Sequence, residues 1–331
     1  NIKNIVSNRG FANTENVRFV QLVDGIESTI PLFNYSLGNS IGISELDIST
    51  AEILPGASSA LYGPNALNGI ITMNSKSPFI EQGISTYLKS GVTTQENRGS
   101  EAFYDVGIRM AHAFSDKFAG KVNFTYQSGE EWHATDYRNK SNGDITAGNR
   151  ESDFGYDGVN VYGDDVNRSI IDVILVLNSI NPITNDLIYR DNIDQGGDGQ
   201  GIISNELLAL PNVTETIPIG VNASRQGFNE IDLIDTDYKS ANFSSSLHFR
   251  PWANNKLEII YSNKFSLSDN IIHGSSRLKQ TDGLTTQHAL DFKGSNFFVK
   301  GYYTRHKTNL VDPNLLAHYI NNQYIDDSRY F

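Results

Sequence analysis

The sequence contains no cysteine, which excludes disulfides, thiolate metal sites and cysteine nucleophiles together. Basic residues are outnumbered 26 to 38, for a net charge of −12. That balance argues against a nucleic-acid partner, whose phosphates call for a basic face. No apolar run reaches the roughly 18 residues that a membrane-crossing helix needs, and no secretory leader is visible after the opening Asn-Ile-Lys-Asn. Catalytic patterns are missing too. The seven histidines (112, 133, 248, 273, 288, 306 and 318) are scattered, with none in a zinc-protease spacing. Ser58 and Ser59 lack a G-x-S-x-G context. The sequence therefore predicts neither an enzyme nor a bound cofactor.

What is abundant is glycine and aromatic side chains: 28 Gly, 16 Tyr and 17 Phe. The glycines concentrate the first signal. Glu52 to Lys76 reads EILPGASSALYGPNALNGIITMNSK. The turn dipeptides Pro55-Gly56 and Gly63-Pro64 sit between two apolar runs, which predicts a strand–turn–strand unit with close backbone approaches. Upstream, Val17 to Val23 reads as a strand and Asp24-Gly25 as its turn. The segment Asn39 to Asp47 is expected to include a short helix.

Three motifs stand in order here: Arg9-Gly10-Phe11 after Asn8, Leu22-Val23-Asp24-Gly25, and E-I-L-x-G-x-S-S-A-L-Y-G-x-N-A-x-x-G-I-I from Glu52. Together they resemble the plug domain of TonB-dependent outer-membrane receptors. The resemblance rests on Arg9, Gly10, Phe11, Asp24, Gly25, Glu52, Gly56, Tyr62, Gly63, Asn65 and Gly69. It implies that residues 1–78 are the C-terminal part of a plug that occludes a barrel until periplasmic TonB pulls on it. The family offers TonB a short segment for strand addition; no such segment is found in this sequence.

Downstream the period changes to two. Ile84 to Val92, Ala102 to Phe114, Phe118 to Tyr126, Ala241 to Phe249, Leu257 to Leu267, Thr286 to Phe292 and Phe297 to His306 give seven alternating strands. Ser115-Asp116-Lys117, Arg250 to Asn255 and Gly294-Ser295-Asn296 supply tight turns. In the third strand Phe118, Gly120, Val122, Phe124 and Tyr126 share one face, and Ala119, Lys121, Asn123, Thr125 and Gln127 the other. Such strands suit a transmembrane barrel with lipid outside and a wet lumen; they also suit a soluble sandwich with its apolar face as core. A mean hydropathy of −0.36 excludes neither.

The fold class expected from the resemblance is mainly β: a plug followed by part of a large antiparallel transmembrane barrel of about 22 strands, within residues 79–331. Seven strands leave two open edges, which hydrocarbon does not tolerate. The chain is thus read as the end of a plug and about the first third of a barrel wall. A native mass at least about twice 36.7 kDa is expected from that strand number.

Residues 129–237 interrupt the rhythm and are read as a large extracellular insertion, with Ser169 to Leu177 a buried apolar segment inside it. Trp132, His133, Tyr156 and Tyr162 are candidate ligand contacts, since aromatics stack on flat or apolar groups; packing within the insertion is the competing role. Asp191, Asp194 and Asp198 are oxygen donors of a calcium-binding type without the D-x-D-x-D-G spacing; a solvated acidic loop is the alternative. Arg9, Asp24, Glu52 and Lys76 are expected at the plug–barrel interface, opposite Lys89, Asp105, Arg109 and Lys121.

The function implied is energy-coupled import of a scarce nutrient (a siderophore, cobalamin, oligosaccharide or peptide) across a Gram-negative outer membrane. The implied partners are TonB, outer-membrane lipid and a small nutrient ligand. A lipoprotein lid or a larger outer-membrane complex is a further partner the family admits. The alternative is a non-transporting adhesin or scaffold subunit of a surface assembly.

Overall fold

The computed structural model describes residues 18–30, 43–63, 65–95, 99–140, 144–149, 155–164, 168–169, 193–195, 201–203, 222–223, 227–252, 256–273 and 277–327. Arg9, Gly10, Phe11, Asp191, Asp198 and most of Ser169 to Leu177 lie outside them. The chain divides into two compact units: 1–132 with 235–312, and 133–234 with 313–331.

The first unit opens with a four-stranded sheet. Its strands are β1 (Phe19–Val23), β2 (Ile26–Glu27), β3 (Ile48–Pro55) and β4 (Gly69–Ser75), in the order β2-β1-β4-β3. β1 runs parallel to β4, and β3 antiparallel to it. Asp24 and Gly25 both take positive φ, 52° and 77°, which closes the β1–β2 hairpin with the twist that adjoining strands require. A single helical turn, α1 (Ser59–Tyr62), bridges β3 to β4. Of the segment Asn39 to Asp47, the described part ends in a 3-10 turn at Glu45–Asp47, where Ser44 Oγ accepts from the Leu46 N–H. Two small apolar clusters hold this sheet: Val20, Ala66 and Ile70 on one side, Val23, Ile43 and Met73 on the other.

Seven long strands follow: β5 (Gly83–Gln95), β6 (Gly99–Ser115), β7 (Phe118–Glu130), β8 (Asp237–Phe249), β9 (Leu257–His273), β10 (Arg277–Gly294) and β11 (Phe298–Val311). They form one antiparallel sheet in chain order, with β5 and β11 at its edges. The chain is therefore mainly β, with a wall-like antiparallel sheet. The strands run 13 to 18 residues, longer than the roughly ten the alternation suggests. β10 shows why. Its apolar alternation is clean only over Thr286 to Phe292, but ladder pairing continues past a register shift at Thr281/Leu284 to Arg277.

Polarity across this sheet is inverted relative to a soluble fold. Ile84, Leu88 and Val92 are 70%, 74% and 68% exposed, whereas Arg109 and Lys121 are 2% and 6%. Phe124, Phe243, Leu247, Phe265 and Leu290 also stand on the exposed face, while Asn123, Thr125, Ser246 and Gln287 are buried on the other. Burying polar groups while baring a continuous apolar face is uphill in water, so a sandwich core is the wrong description. Phe114, Phe118, Phe249 and Trp252 gather at the tight-turn end of the exposed face, a placement that suits a membrane–water boundary. On the inner face, aromatic rings lie over cross-strand glycines: Tyr87 over Gly107 and Phe103 over Gly91. The ring replaces the side chain that the glycine lacks and pins register.

In the second unit, short strand pairs join Val161–Tyr162 to Phe228–Asn229 and Ile193–Gln195 to Gly201–Ile203. The helices are α2 (Glu230–Leu233) and α3 (Pro313–Asp327). No described helix is long and apolar enough to cross a membrane.

Gly69 offers a direct check on the four-stranded sheet. Its φ is 128°, and an added Cβ would meet Leu54 O at 2.9 Å and the Phe19 ring at 3.2 Å. Gly69→Ala is expected to destabilise the β1–β4 sheet by about 1–3 kcal/mol. Amide hydrogen exchange should show this as lost protection in β1 and β4, with β5–β11 unchanged.

Candidate functional site

Asp47 is where the four-stranded sheet meets the wall. The 3-10 turn ahead of β3 aims its carboxylate at the polar face of β6 and β7. Oδ1 accepts from Arg109 Nε at 2.7 Å, and Oδ2 accepts from Lys121 Nζ at 2.7 Å and Asn123 Nδ2 at 3.3 Å. The side chains of Asp47, Arg109 and Lys121 are 4%, 3% and 5% exposed. The two cations also bind the connector between the sheets. Arg109 Nη2 donates to Glu81 O at 3.0 Å and Lys121 Nζ to Lys76 O at 2.7 Å. The Lys76 N–H returns to Asp47 O at 2.8 Å. One carboxylate thus carries two charge-assisted bonds, and backbone carbonyls take the remaining donors.

Asp24 sits nearby with a different task. Its carboxylate accepts from the Ser75 N–H at 2.8 Å, locking the β1–β2 turn to the end of β4. Burial alone would raise its pKa; the Ser75 amide and the charges of Lys264 and Lys121 outweigh burial and hold the carboxyl below its ordinary value. Lys300 of β11 donates to the Asp24 carbonyl and pairs with Asp291 at 3.2 Å.

The other residues expected at this interface are distributed as follows. Lys89 pairs with Glu45 at 2.6 Å and lies 3.9 Å from Asp105, which also accepts from Tyr87 Oη at 2.8 Å. Lys76 pairs with Glu81 at 3.4 Å. Glu52 is exposed on β3. Gly56, Gly63 and Gly69 serve the backbone, with φ of 97°, 91° and 128°. Tyr62 is 42% exposed beside Gly63, and Asn65 is half-buried in the turn into β4. Asp47 was missed by the sequence reading, yet a signal exists. The inner face of β6 and β7 carries Arg109 and Lys121 with Asp105 as its acid, so the first 78 residues must supply a counter-charge.

Of the aromatic candidates, Trp132 is 47% exposed, with the Arg277 guanidinium 4.0 Å over its ring and His273 parallel to it at 5.6 Å. In the second unit Tyr156 is buried and donates to Tyr137 O; Tyr162 Oη donates to Glu230 Oε2 at 2.9 Å; His133 is buried. Glu230, fully buried, also accepts from the Ala134 N–H at 3.1 Å. Asp194 lies in the strand pair with Gly201–Ile203. Among the described residues no group of three or more His, Asp or Glu could hold a metal ion.

Asp164 carries the clearest electrostatic anomaly of the second unit. It is 1% exposed, accepts from the Gly158 N–H at 2.9 Å, and lies near Asp157. Burial, aided by the Asp157 charge, pushes its carboxyl up to about 6.

No family model and no curated protein matches this chain. The similar solved structures are proteins of low identity. They include the FrpB iron transporter from Neisseria meningitidis (10% identity, TM-score 0.40), covering 88% of this chain and 34% of that one. A ferric enterobactin receptor mutant from Pseudomonas aeruginosa, PfeA, matches at 12% identity and TM-score 0.40 (92% and 34% coverage). The siderophore receptor PiuA from Acinetobacter baumannii matches at 12% and 0.41 (90% and 39%). The chain spans little more than a third of their length. Likeness at this level assigns no substrate and no partner.

Two outcomes are expected from these sites. Asp47→Asn leaves Arg109 and Lys121 buried without a counter-ion, which costs about 3–5 kcal/mol. Hydrogen exchange should show β3 and β4 opening while β8–β10 keep their protection. For Asp164 the folded pKa lies above the unfolded value of 3.8, so the unfolded state binds fewer protons between about pH 4 and 6. Stability of the second unit should fall as pH rises through that window and level off above it. Asp164→Asn, which keeps an acceptor for Gly158, should abolish the fall and gain about 1–2 kcal/mol at pH 7, read from thermal melts across pH.

Proposed function

We propose that this chain is the end of a plug and the first strands of the wall of a TonB-dependent outer-membrane receptor, which imports a scarce nutrient by energy-coupled transport. One observation carries the reading. A wall-like sheet turns its apolar face outward and its polar face inward, and a separate four-stranded unit sits on that polar face. An outward apolar face with an aromatic band suits lipid, and a polar lumen suits a water-soluble cargo. The unit on the polar face blocks the space that the wall begins to enclose. It is held by ionic and hydrogen bonds rather than by a large apolar core, a contact that a directed force can undo without exposing hydrophobic surface. The three motifs around Arg9, Asp24 and Glu52 to Gly69 support the plug assignment, and the unpaired edges of β5 and β11 call for further strands.

The lipoprotein lid and the nutrient's identity belong to the same reading as open partners. The test is uptake. With the full-length receptor as the sole route for its nutrient, growth on that nutrient should depend on TonB and drop to background in a strain lacking it. Equal growth in both strains would refute import and leave a surface scaffold.

A further inference from the structure

Lys264 stands on the inner face of β9, partly buried, and it forms neither a hydrogen bond nor an ion pair with any described residue. Its cross-strand partners are Ser244 on β8 and Gln287 on β10. Its same-face neighbours along β9 are Ser262 and Ser266. None of the surrounding face positions carries a carboxylate. The acids whose charge it feels, Asp24 and Asp47, are engaged elsewhere: Asp47 by Arg109 and Lys121, Asp24 by the Ser75 N–H. Lys121 and Lys300 add like charge. Arg250 and Glu258 pair with each other at 2.9 Å; the remaining cations Arg109, Lys121, Lys264, Lys293 and Lys300 outnumber the carboxylates Asp24, Asp47 and Asp291 five to three.

This surplus opens onto a cavity of about 380 Å³ between the four-stranded unit and β7–β10, lined by Lys121, Lys264, Ser244 and Ser262 and, on other sides, by the carboxylates Asp24, Asp47, Glu258 and Asp291. That volume suits a small ligand or one end of a larger one. Beside it on the same face, Ser266 is 3% exposed, and its Oγ has no hydrogen-bond partner among the described residues. A partly desolvated ammonium that feels Asp24 only at a distance, with no contact ion pair, is costly. One ringed by hydroxyls that can donate alongside it is arranged as an oxyanion receptor.

We propose that this cavity binds an oxyanion, a carboxylate or phosphate group, with Lys264 as its charged anchor and Ser244 and Ser262 as hydroxyl donors. The site is a property of the polar interior and holds whether or not the chain takes part in import. For a chain of net charge −12, an anion site has to be built locally, and here the wall supplies the cations.

Inorganic phosphate is the probe, titrated into the purified full-length protein in neutral detergent against chloride at matched ionic strength. Binding is followed by calorimetry and the thermal midpoint. Phosphate should bind and raise the midpoint in wild type. Lys264→Met should lower affinity about tenfold or more, the loss expected for one charge-assisted hydrogen bond. The same variant should be at least as stable as wild type without phosphate, because it removes an unmatched charge. Lys264→Arg should retain binding. Ser244→Ala leaves every charge in place and should weaken binding several-fold, so it decides the matter should Lys264→Met fail to fold. Equal phosphate binding in wild type and in whichever of these two variants folds, or no binding in wild type, overturns the proposal. Because no uptake is measured, failure here is separate from failure of the import reading.

Discussion

A carboxylate buried between two cations sets the terms for the whole N-terminal half. Asp47 brings one negative charge to a face that carries Arg109 and Lys121, and neither side is tolerable alone in a low-dielectric setting. The wall needs the acid, and the four-stranded sheet needs the cations. That mutual need fixes where the sheet sits, because a shift of a few ångströms leaves three charges unpaired at once. Apolar contacts cannot do this here, since the wall's apolar residues face the other way. The clusters at Val20 and Val23 hold the small sheet to itself and not to the wall.

The inverted polarity of the seven-stranded sheet follows from the same logic. Every strand alternates, so each has an apolar and a polar face. Something must decide which one is left bare and which meets protein. The polar face gains ionic partners from the four-stranded unit, and rings over glycines tie its strands together. The outward face gains only by leaving water. Backbone pairing then imposes its own demand: a sheet with lipid against one side has to close or hide its edges.

Much of this was legible in the chain. All seven wall strands, their tight turns and the Asp24-Gly25 hairpin follow from period-two alternation and turn chemistry, because both are local. The strand ends were not legible. Ladder hydrogen bonding carries β9 and β10 past the point where side chains stop alternating, and Asn270, Ile271 and Ile272 are buried in succession. Alternation also could not say which face was outside; only the docked sheet on the polar side decides that. Asp47 escaped notice for a related reason. A single acid in a turn has no motif, and its role appears only when β6 and β7 bring Arg109 and Lys121 beside it across 62 and 74 residues of sequence. The glycines of the Glu52 stretch were visible as turn and close-approach positions, and Gly56, Gly63 and Gly69 take positive φ, with Gly69 close against Leu54 O.

The excess length of β9 and β10 has an architectural result. A tilted strand crosses hydrocarbon in about 9–11 residues, whereas these hold 17 and 18. At about 3.3 Å per residue the surplus is a paired ribbon on the order of 20 Å long, measured along the strands, that stiffens one end of the sheet. Anything that meets the sheet at that end meets a rigid hydrogen-bonded rim rather than a loose loop.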